Sequence, residues 1–218
     1  MNVKICGLTS VTDALAVAEA GADWIGLNFH PGSARRVEID VARAIVASLP
    51  APCAAVGLFV NRPAVEVAAL AEWLGLGIVQ LHGSEPVADL AFYGGFRVIR
   101  AFRIADQASL DAMQDYARLA AETGHPLHAV LVDASVPGQF GGTGQRIADD
   151  LLARITDLIP ALPPLILAGG LTPENVAARI ARVRPWMVDV AGGVESAPGR
   201  KDAARVSAFI RAARGVVG

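Results

Sequence analysis

Short runs of alternating apolar and polar residues recur along the chain, each followed by a longer Ala- and Leu-rich stretch. Strict alternation marks a strand with one covered face, and apolar residues at helical spacing mark an amphipathic helix. The pattern predicts strands over 3–7, 24–29, 53–60, 78–82, 97–103, 128–133, 165–169 and 187–191. Helices are predicted over 12–20, 38–48, 63–74, 86–93, 107–122, 146–157, 173–182 and 201–213. Several starts carry capping chemistry. Asn61-Arg62-Pro63, Ser84-Glu85-Pro86 and Thr172-Pro173-Glu174 each place a polar side chain at a Pro-initiated turn, and Ser10 with Asp13 resembles a capping arrangement. Gly21 closes the first helix.

Eight strand–helix units in about 200 residues match a small (β/α)8 barrel. A doubly wound sheet is the alternative α/β architecture. Even spacing and the absence of a composition break or linker favour one TIM-barrel domain spanning 1–218.

Parity then sorts side chains between the barrel interior and the helix-covered outside. With Ile5 outward, Lys4 and Cys6 share the inner face of the first strand. With Val79 and Leu81 outward, Gln80 and His82 point in. Asp133 falls inward at the end of the sixth strand, and Asp189 does so on the eighth. A barrel interior selected for stability alone would carry Val, Ile or Leu at these positions. An isolated buried charge is costly, so Lys4 and Asp189, on neighbouring strands, are a candidate ion pair. Cys6 and Asp133 sit at strand ends, where barrel chemistry resides, and form a candidate acid/base pair. Gln80, His82 and Asp189 are candidate substrate contacts. Cys53, within an apolar strand, reads as a small core residue. His30, His125 and His128 read as ordinary polar or capping residues.

Three glycine-rich segments add a ligand class. Ala168-Gly169-Gly170-Leu171 and Ala191-Gly192-Gly193-Val194 follow the seventh and eighth strands, where barrels commonly bind phosphate through backbone N–H groups. Gly169, Gly170, Gly192 and Gly193 are therefore candidate phosphate contacts. Gly141-Gly142-Thr143-Gly144 follows the sixth strand and reads as a flap over substrate, with Gly142 and Gly144 as further phosphate contacts. In a closed ring, strands six, seven, eight and one are consecutive, so Asp133 and Cys6 would flank a phosphosugar anchored between them.

Composition narrows the remaining classes. Hydrophobic residues make up 53%, enough for a sizeable core. A net charge of -2 with no basic block argues against nucleic acid or an anionic membrane as partner. No apolar run approaches a bilayer span, and the N-terminus enters a strand pattern directly, so a cytoplasmic protein is expected. The two cysteines, Cys6 and Cys53, have no metal-type spacing and are expected to be free thiols.

A set of motifs runs nearly end to end: Lys4-Ile5-Cys6-Gly7-Leu8-Thr9, Val56-Gly57-Leu58-Phe59-Val60-Asn61, Val79-Gln80-Leu81-His82-Gly83 and Val132-Asp133. It continues through Ala168-Gly169-Gly170-Leu171-Thr172-Pro173-Glu174-Asn175-Val176, Val188-Asp189-Val190 and Gly193-Val194-Glu195. On these motifs the chain resembles phosphoribosylanthranilate isomerase of tryptophan biosynthesis. The resemblance implies a cofactor-free Amadori rearrangement of an aminoaldose phosphate, with Cys6 as general base and Asp133 as general acid. It also implies an arginine after the second strand on the anthranilate carboxylate, for which Arg35 is the best match and Arg36, beside it, the second candidate. Lys4, on the same inner face, is a candidate source of part of any lowering of the Cys6 pKa, its alternative role being the structural pair with Asp189. The small-molecule phosphosugar is the expected partner of a monomer or homodimer. A non-catalytic phosphate-binding barrel and a histidine-pathway aminoaldose isomerase are the competing readings. Where the family usually carries Ser-Ser-Gly, this chain has Ala191-Gly192-Gly193. After the flap it has Arg146-Ile147-Ala148 in place of the usual Phe-Asp-Trp.

Overall fold

In the computed structural model, the apolar runs pair in chain order as parallel strands and close on themselves. The structure describes residues 1–134 and 149–216. The barrel strands are β1 (Asn2–Cys6), β2 (Trp24–Asn28), β3 (Ala54–Phe59), β4 (Ile78–Leu81), β5 (Arg97–Ile104), β6 (Ala129–Ala134), β7 (Leu165–Leu167) and β8 (Met187–Val190). Closure is made by β1 against β8, where Lys4 lies in register with Asp189. The helices are α1 (Val11–Glu19), α2 (Ile39–Ser48), α3 (Ala64–Leu74), α4 (Gln107–Glu122), α5 (Asp149–Leu158), α6 (Val176–Val183) and α7 (Ala203–Arg214). A short antiparallel hairpin, β9 (Glu195–Ala197) with β10 (Arg200–Lys201), is inserted between β8 and α7.

Period-two alternation divides the apolar residues into two cores. Outward residues such as Val3, Ile5, Ile25, Leu27, Val79 and Val188 pack with the helices in one continuous cluster. Inward residues, among them Trp24, Val56, Ile78, Ile99, Leu131, Ile166 and Met187, fill the barrel itself. At the amino-terminal end the barrel is stoppered by aromatic contacts. Trp24 packs edge-on to Trp186 with ring centroids 5.4 Å apart, His128 lies 6.0 Å from Trp24, and Arg97 sits over Trp24 at 5.7 Å. An apolar floor leaves the carboxyl ends of the strands as the end at which inward side chains turn polar. No helix among the described residues is long and apolar enough to cross a membrane.

Capping follows the sequence at some helices and departs from it at others. Ser10 accepts a hydrogen bond from the Asp13 amide at 3.1 Å, as its position implied, and Gly21 adopts a φ of 99° just beyond α1. Residues 86–93 were expected to be α-helical but form a 3-10 segment, Val87–Tyr93. Pro86 before it and Gly94-Gly95 after it confine the segment to seven residues. Neither Ser84 nor Glu85 caps it. Glu85 turns inward instead, accepting from the Asn61 amide at 2.8 Å and lying 3.3 Å from Arg100. Asn61 does not cap α3 either, because its side-chain oxygen accepts from the Ser84 amide at 2.6 Å. The sixth helix begins at Val176 rather than 173. Asn175 is occupied with the preceding loop, accepting from the Thr172 amide and donating to the Gly170 carbonyl, both at 2.9 Å. These side chains brace the loops at the carboxyl ends of β3, β4 and β7.

Candidate active site

A cavity of about 560 Å³ opens at the carboxyl ends of the strands. Cys6, Gln80, His82, Asp133 and Asp189 all line it, brought together from β1, β4, β6 and β8 and the residue after β4. Gly169, Gly170, Gly192 and Gly193 line the same cavity. Gly142 and Gly144, and the flap expected over 141–144, lie outside the described residues.

Cys6 is buried, and the neighbouring strand makes room for it. A Cβ at Gly26, its register partner on β2, would sit 2.5 Å from the Cys6 Sγ. Lys4, two residues earlier on the same face, is 0% exposed, and its Nζ donates to both Asp189 carboxylate oxygens at 3.0 Å. Burial is the largest single influence and would lower the Lys4 pKa, but the Asp189 carboxylate and Cys6 together outweigh it and keep the ammonium charged. For Cys6 the balance runs the other way. Burial raises its pKa above the ordinary thiol value, against the opposing pull of Lys4 and, more weakly, Lys201. The lowering pull expected of Lys4 is there, but desolvation outweighs it, so the net shift is upward and Lys4 limits the rise.

On the opposite wall, the Gln80 Nε2 donates to His82 Nδ1 at 2.9 Å. That bond places the ring proton on Nε2, which lies 3.9 Å from an Asp133 oxygen. Burial, with Lys4, Arg103 and Arg100 nearby, pushes the His82 pKa down to about 3, so the ring is neutral at physiological pH. The Gln80 Oε1 and the His82 Nε2 are buried without a hydrogen-bond partner among the described residues. Buried polar atoms rarely stay unsatisfied, and both residues line the cavity.

The glycine loops form the third wall. Gly169 and Gly170 adopt φ of 91° and 63°, a left-handed conformation that turns the chain sharply after β7. Gly193 lies in a tight turn, Gly192–Val194, against the β7 loop, where any Cβ would collide with the Leu171 carbonyl oxygen. Two loops so close present their backbones to one region of the cavity.

Arg35 reaches the cavity from the loop after β2, whereas Arg36 pairs with Glu38 at 3.6 Å and does not line it. Ser33 shapes that loop: its Oγ accepts from the Arg35 amide at 3.1 Å and from the Asn28 side chain at 3.0 Å. The guanidinium is gripped by Glu195, with Nη2 to Oε2 at 2.7 Å and Nε to Oε1 at 2.9 Å. Glu195 in turn accepts from the Lys201 Nζ at 2.8 Å.

Sequence reasoning missed Glu195, Lys201 and Arg205, whose Nε donates to the Gly193 carbonyl at 3.2 Å at the cavity edge. It also set aside His30, which lines the cavity. His30 lies in a loop where no periodicity assigns a direction, and its amide is fixed by the Asn28 side chain at 2.8 Å. His128 belongs to the aromatic floor, and Cys53 packs against the outer core.

Sequence and fold are both similar to those of known proteins. The family model of N-(5'phosphoribosyl)anthranilate (PRA) isomerase matches residues 3–212. The N-(5'-phosphoribosyl)anthranilate isomerase of Geobacter sulfurreducens is 49% identical over 99% of each chain. Among solved structures, the phosphoribosyl anthranilate isomerase of Thermotoga maritima superposes with a TM-score of 0.88 at 34% identity, covering 99% of each chain. Another, crystallised with reduced 1-(o-carboxyphenylamino)-1-deoxyribulose 5-phosphate, superposes with a TM-score of 0.85 at 33% identity, again over 99% of each. A closed barrel carrying an inward cysteine and aspartate on either side of two glycine loops, with identity sustained over the whole length, places this chain in the phosphoribosylanthranilate isomerase family.

Proposed function

We propose that the cavity converts N-(5-phosphoribosyl)anthranilate into 1-(2-carboxyphenylamino)-1-deoxyribulose 5-phosphate, with Cys6 as general base and Asp133 as general acid. The observation that carries this reading is the convergence of Cys6, Asp133 and the glycine loops of β7 and β8 on one cavity. The backbones of Gly169, Gly170, Gly192 and Gly193 would take the phosphate. Anchored there, the sugar extends between β6 and β1.

The rearrangement moves protons without changing composition. Asp133 gives a proton to the furanose ring oxygen as the C1′–O bond breaks, and the nitrogen lone pair forms a Schiff base at C1′. The Cys6 thiolate removes the C2′ proton, and those electrons make the C1′–C2′ double bond of an enol-amine. Tautomerisation then leaves a ketone at C2′. General acid/base help of this kind is worth about 10²–10⁴-fold.

Lys4 and Lys201 oppose the burial that raises the Cys6 pKa and so limit the cost of forming the thiolate. Neutral His82 keeps its Nε2 proton for donation to a sugar oxygen near Asp133, and Gln80 holds the ring in that tautomer. Asp189, fixed by Lys4, is placed to accept from a sugar hydroxyl. Arg35 is the partner for the anthranilate carboxylate.

The test is turnover of freshly made phosphoribosylanthranilate, followed by the decay of its fluorescence. Cys6→Ser and Asp133→Asn should each fold and lose turnover. Near-native activity in either folded variant removes that residue from the mechanism. The histidine-pathway aminoaldose, run alongside, should not be turned over at a comparable rate. Binding of the anthranilate substrate without conversion would favour a ligand-binding barrel instead.

A further inference from the structure

We propose that Glu195 is a positioning residue for this reaction: it fixes the Arg35 guanidinium so that its remaining N–H groups face the substrate's aryl carboxylate, with Lys201 holding Glu195 from behind. The inference rests on the reading above, in which Arg35 meets that carboxylate.

Donor bookkeeping sets the direction of the guanidinium. Arg35 uses its Nε edge on Glu195, at 2.9 Å to Oε1 and 3.1 Å to Oε2, and one Nη2 hydrogen at 2.7 Å to Oε2. A guanidinium carries five N–H donors in a rigid fork, so the Nη1 pair and the second Nη2 hydrogen remain. Glu195 has little capacity left. Besides Arg35, its Oε1 accepts from the Lys201 Nζ at 2.8 Å and from the Gly199 amide at 3.2 Å. The Lys201 Nζ also donates to the Ala191 carbonyl at 3.2 Å, which ties the cluster to the end of β8.

Burial is graded along the chain of contacts. The Lys201 and Glu195 side chains are 2% and 4% exposed, and the Arg35 side chain is 19% exposed. Two cations share one carboxylate, so one positive charge is in surplus, and the exposed member is the arginine that lines the cavity. Hydrogen bonds from Arg35 and Lys201 overcome the effect of burial and hold the Glu195 pKa below its ordinary value, so the carboxylate stays ionised. The arginine's placement is equally constrained. A Cβ at Gly7 would sit 2.8 Å from the Arg35 Cδ, so the stem lies against the residue that follows Cys6. The carboxylate subsite therefore adjoins the general base. A long arginine ordered before substrate arrives spares the complex the cost of ordering it.

A hairpin staple with no role in binding would predict a different outcome, and kinetics separate the two. Steady-state constants for phosphoribosylanthranilate are measured for the wild type, Arg35→Ala, Glu195→Gln and the double variant. Glu195→Gln should raise KM about tenfold with kcat within about threefold, the pattern of an interaction made equally before and in the transition state. In the Arg35→Ala background the same change should alter KM less than about twofold, because the residue it positions is gone. Glu195→Asp keeps the charge and shortens the arm. It should fold, raise KM by an intermediate factor, and serve the same comparison if the glutamine variant does not fold. If Arg35→Ala leaves KM unchanged, the arginine assignment falls and this inference with it. If Arg35→Ala raises KM but Glu195 substitution does not, or raises it equally in both backgrounds, only the role given to Glu195 is overturned.

Discussion

Replacing Lys4 with methionine should destabilise the fold by about 3–5 kcal/mol, the usual consequence of removing one partner from a buried ion pair. Methionine keeps much of the length and removes the charge. The Asp189 carboxylate then stays in the barrel wall with its cation gone. Lys4 Nζ lies 3.0 Å from both Asp189 oxygens and is fully buried. At that distance, and at an effective dielectric of about 20, the attraction is about 5–6 kcal/mol, of the same order as the expected loss. For a chain of this size each kcal/mol moves the melting temperature by roughly 2–4 °C, so the shift should be about 6–20 °C. Urea denaturation and thermal melts at neutral pH measure it. Adding Asp189→Asn should recover a large part of the loss, since the uncompensated charge is removed as well. A melting temperature for Lys4→Met within about 2 °C of wild type would sink the argument, as would a double variant no more stable than the single. The sign with pH is also fixed. The Lys4 pKa is raised above its ordinary 10.5, so the pair's contribution is complete below that pH and is lost only as pH climbs through the higher folded value. Activity of the folded double variant then reports whether the pair also serves the chemistry.

Other perturbations probe other walls of the cavity. His82, with a folded pKa of about 3 against an ordinary 6.5, resists protonation in the native state, so stability falls as pH drops from 6.5 toward 3. Urea unfolding between pH 7 and 4.5 should show the wild type losing about 2–3 kcal/mol more than His82→Gln, and equal losses would remove His82 as the cause. Arg205→Ala should raise KM for the phosphosugar by about two- to fivefold with kcat unchanged, because its guanidinium stands at the Gly193 carbonyl beside the proposed phosphate loops. An unaltered KM, with unaltered inhibition by inorganic phosphate, would exclude it. Gly193→Ala forces a Cβ onto the Leu171 carbonyl oxygen. Phosphate affinity should drop at least about tenfold as the two loops separate, and near-native inhibition by phosphate would refute that spacing argument.

What the sequence disclosed and what it withheld follow from one geometric fact. On a strand, direction is set by parity, so knowing that Ile5, Val79, Val132 and Val188 face the helices assigns Lys4, Gln80 and Asp189 to the barrel and carries Cys6, His82 and Asp133 with them. Chain order then supplies the neighbours, because β1 and β8 must meet to close the ring. Loops have no such rule. His30 and Arg35 acquire their directions from local hydrogen bonds to Asn28 and Ser33, and nothing in the spacing of those residues announces them. Glu195 is harder still to read. It pairs with an arginine 160 residues away across the β8–β1 closure, through a hairpin whose strands are only three and two residues long. The same limit explains Glu85, which looked like a helix cap and is instead consumed by Arg100 and the amides of Asn61 and Gly83. Burial produced the other departure. Parity placed Lys4 near Cys6 as a candidate for part of a lowering pull, and the pull is there, but parity does not measure desolvation, which outweighs the lysine. The cations around Cys6 restrain a rise that the barrel itself imposes. The proposed catalysis by a thiolate in this position therefore depends on cations drawn from two places: Lys4 on the first strand and Lys201 in the hairpin after the eighth.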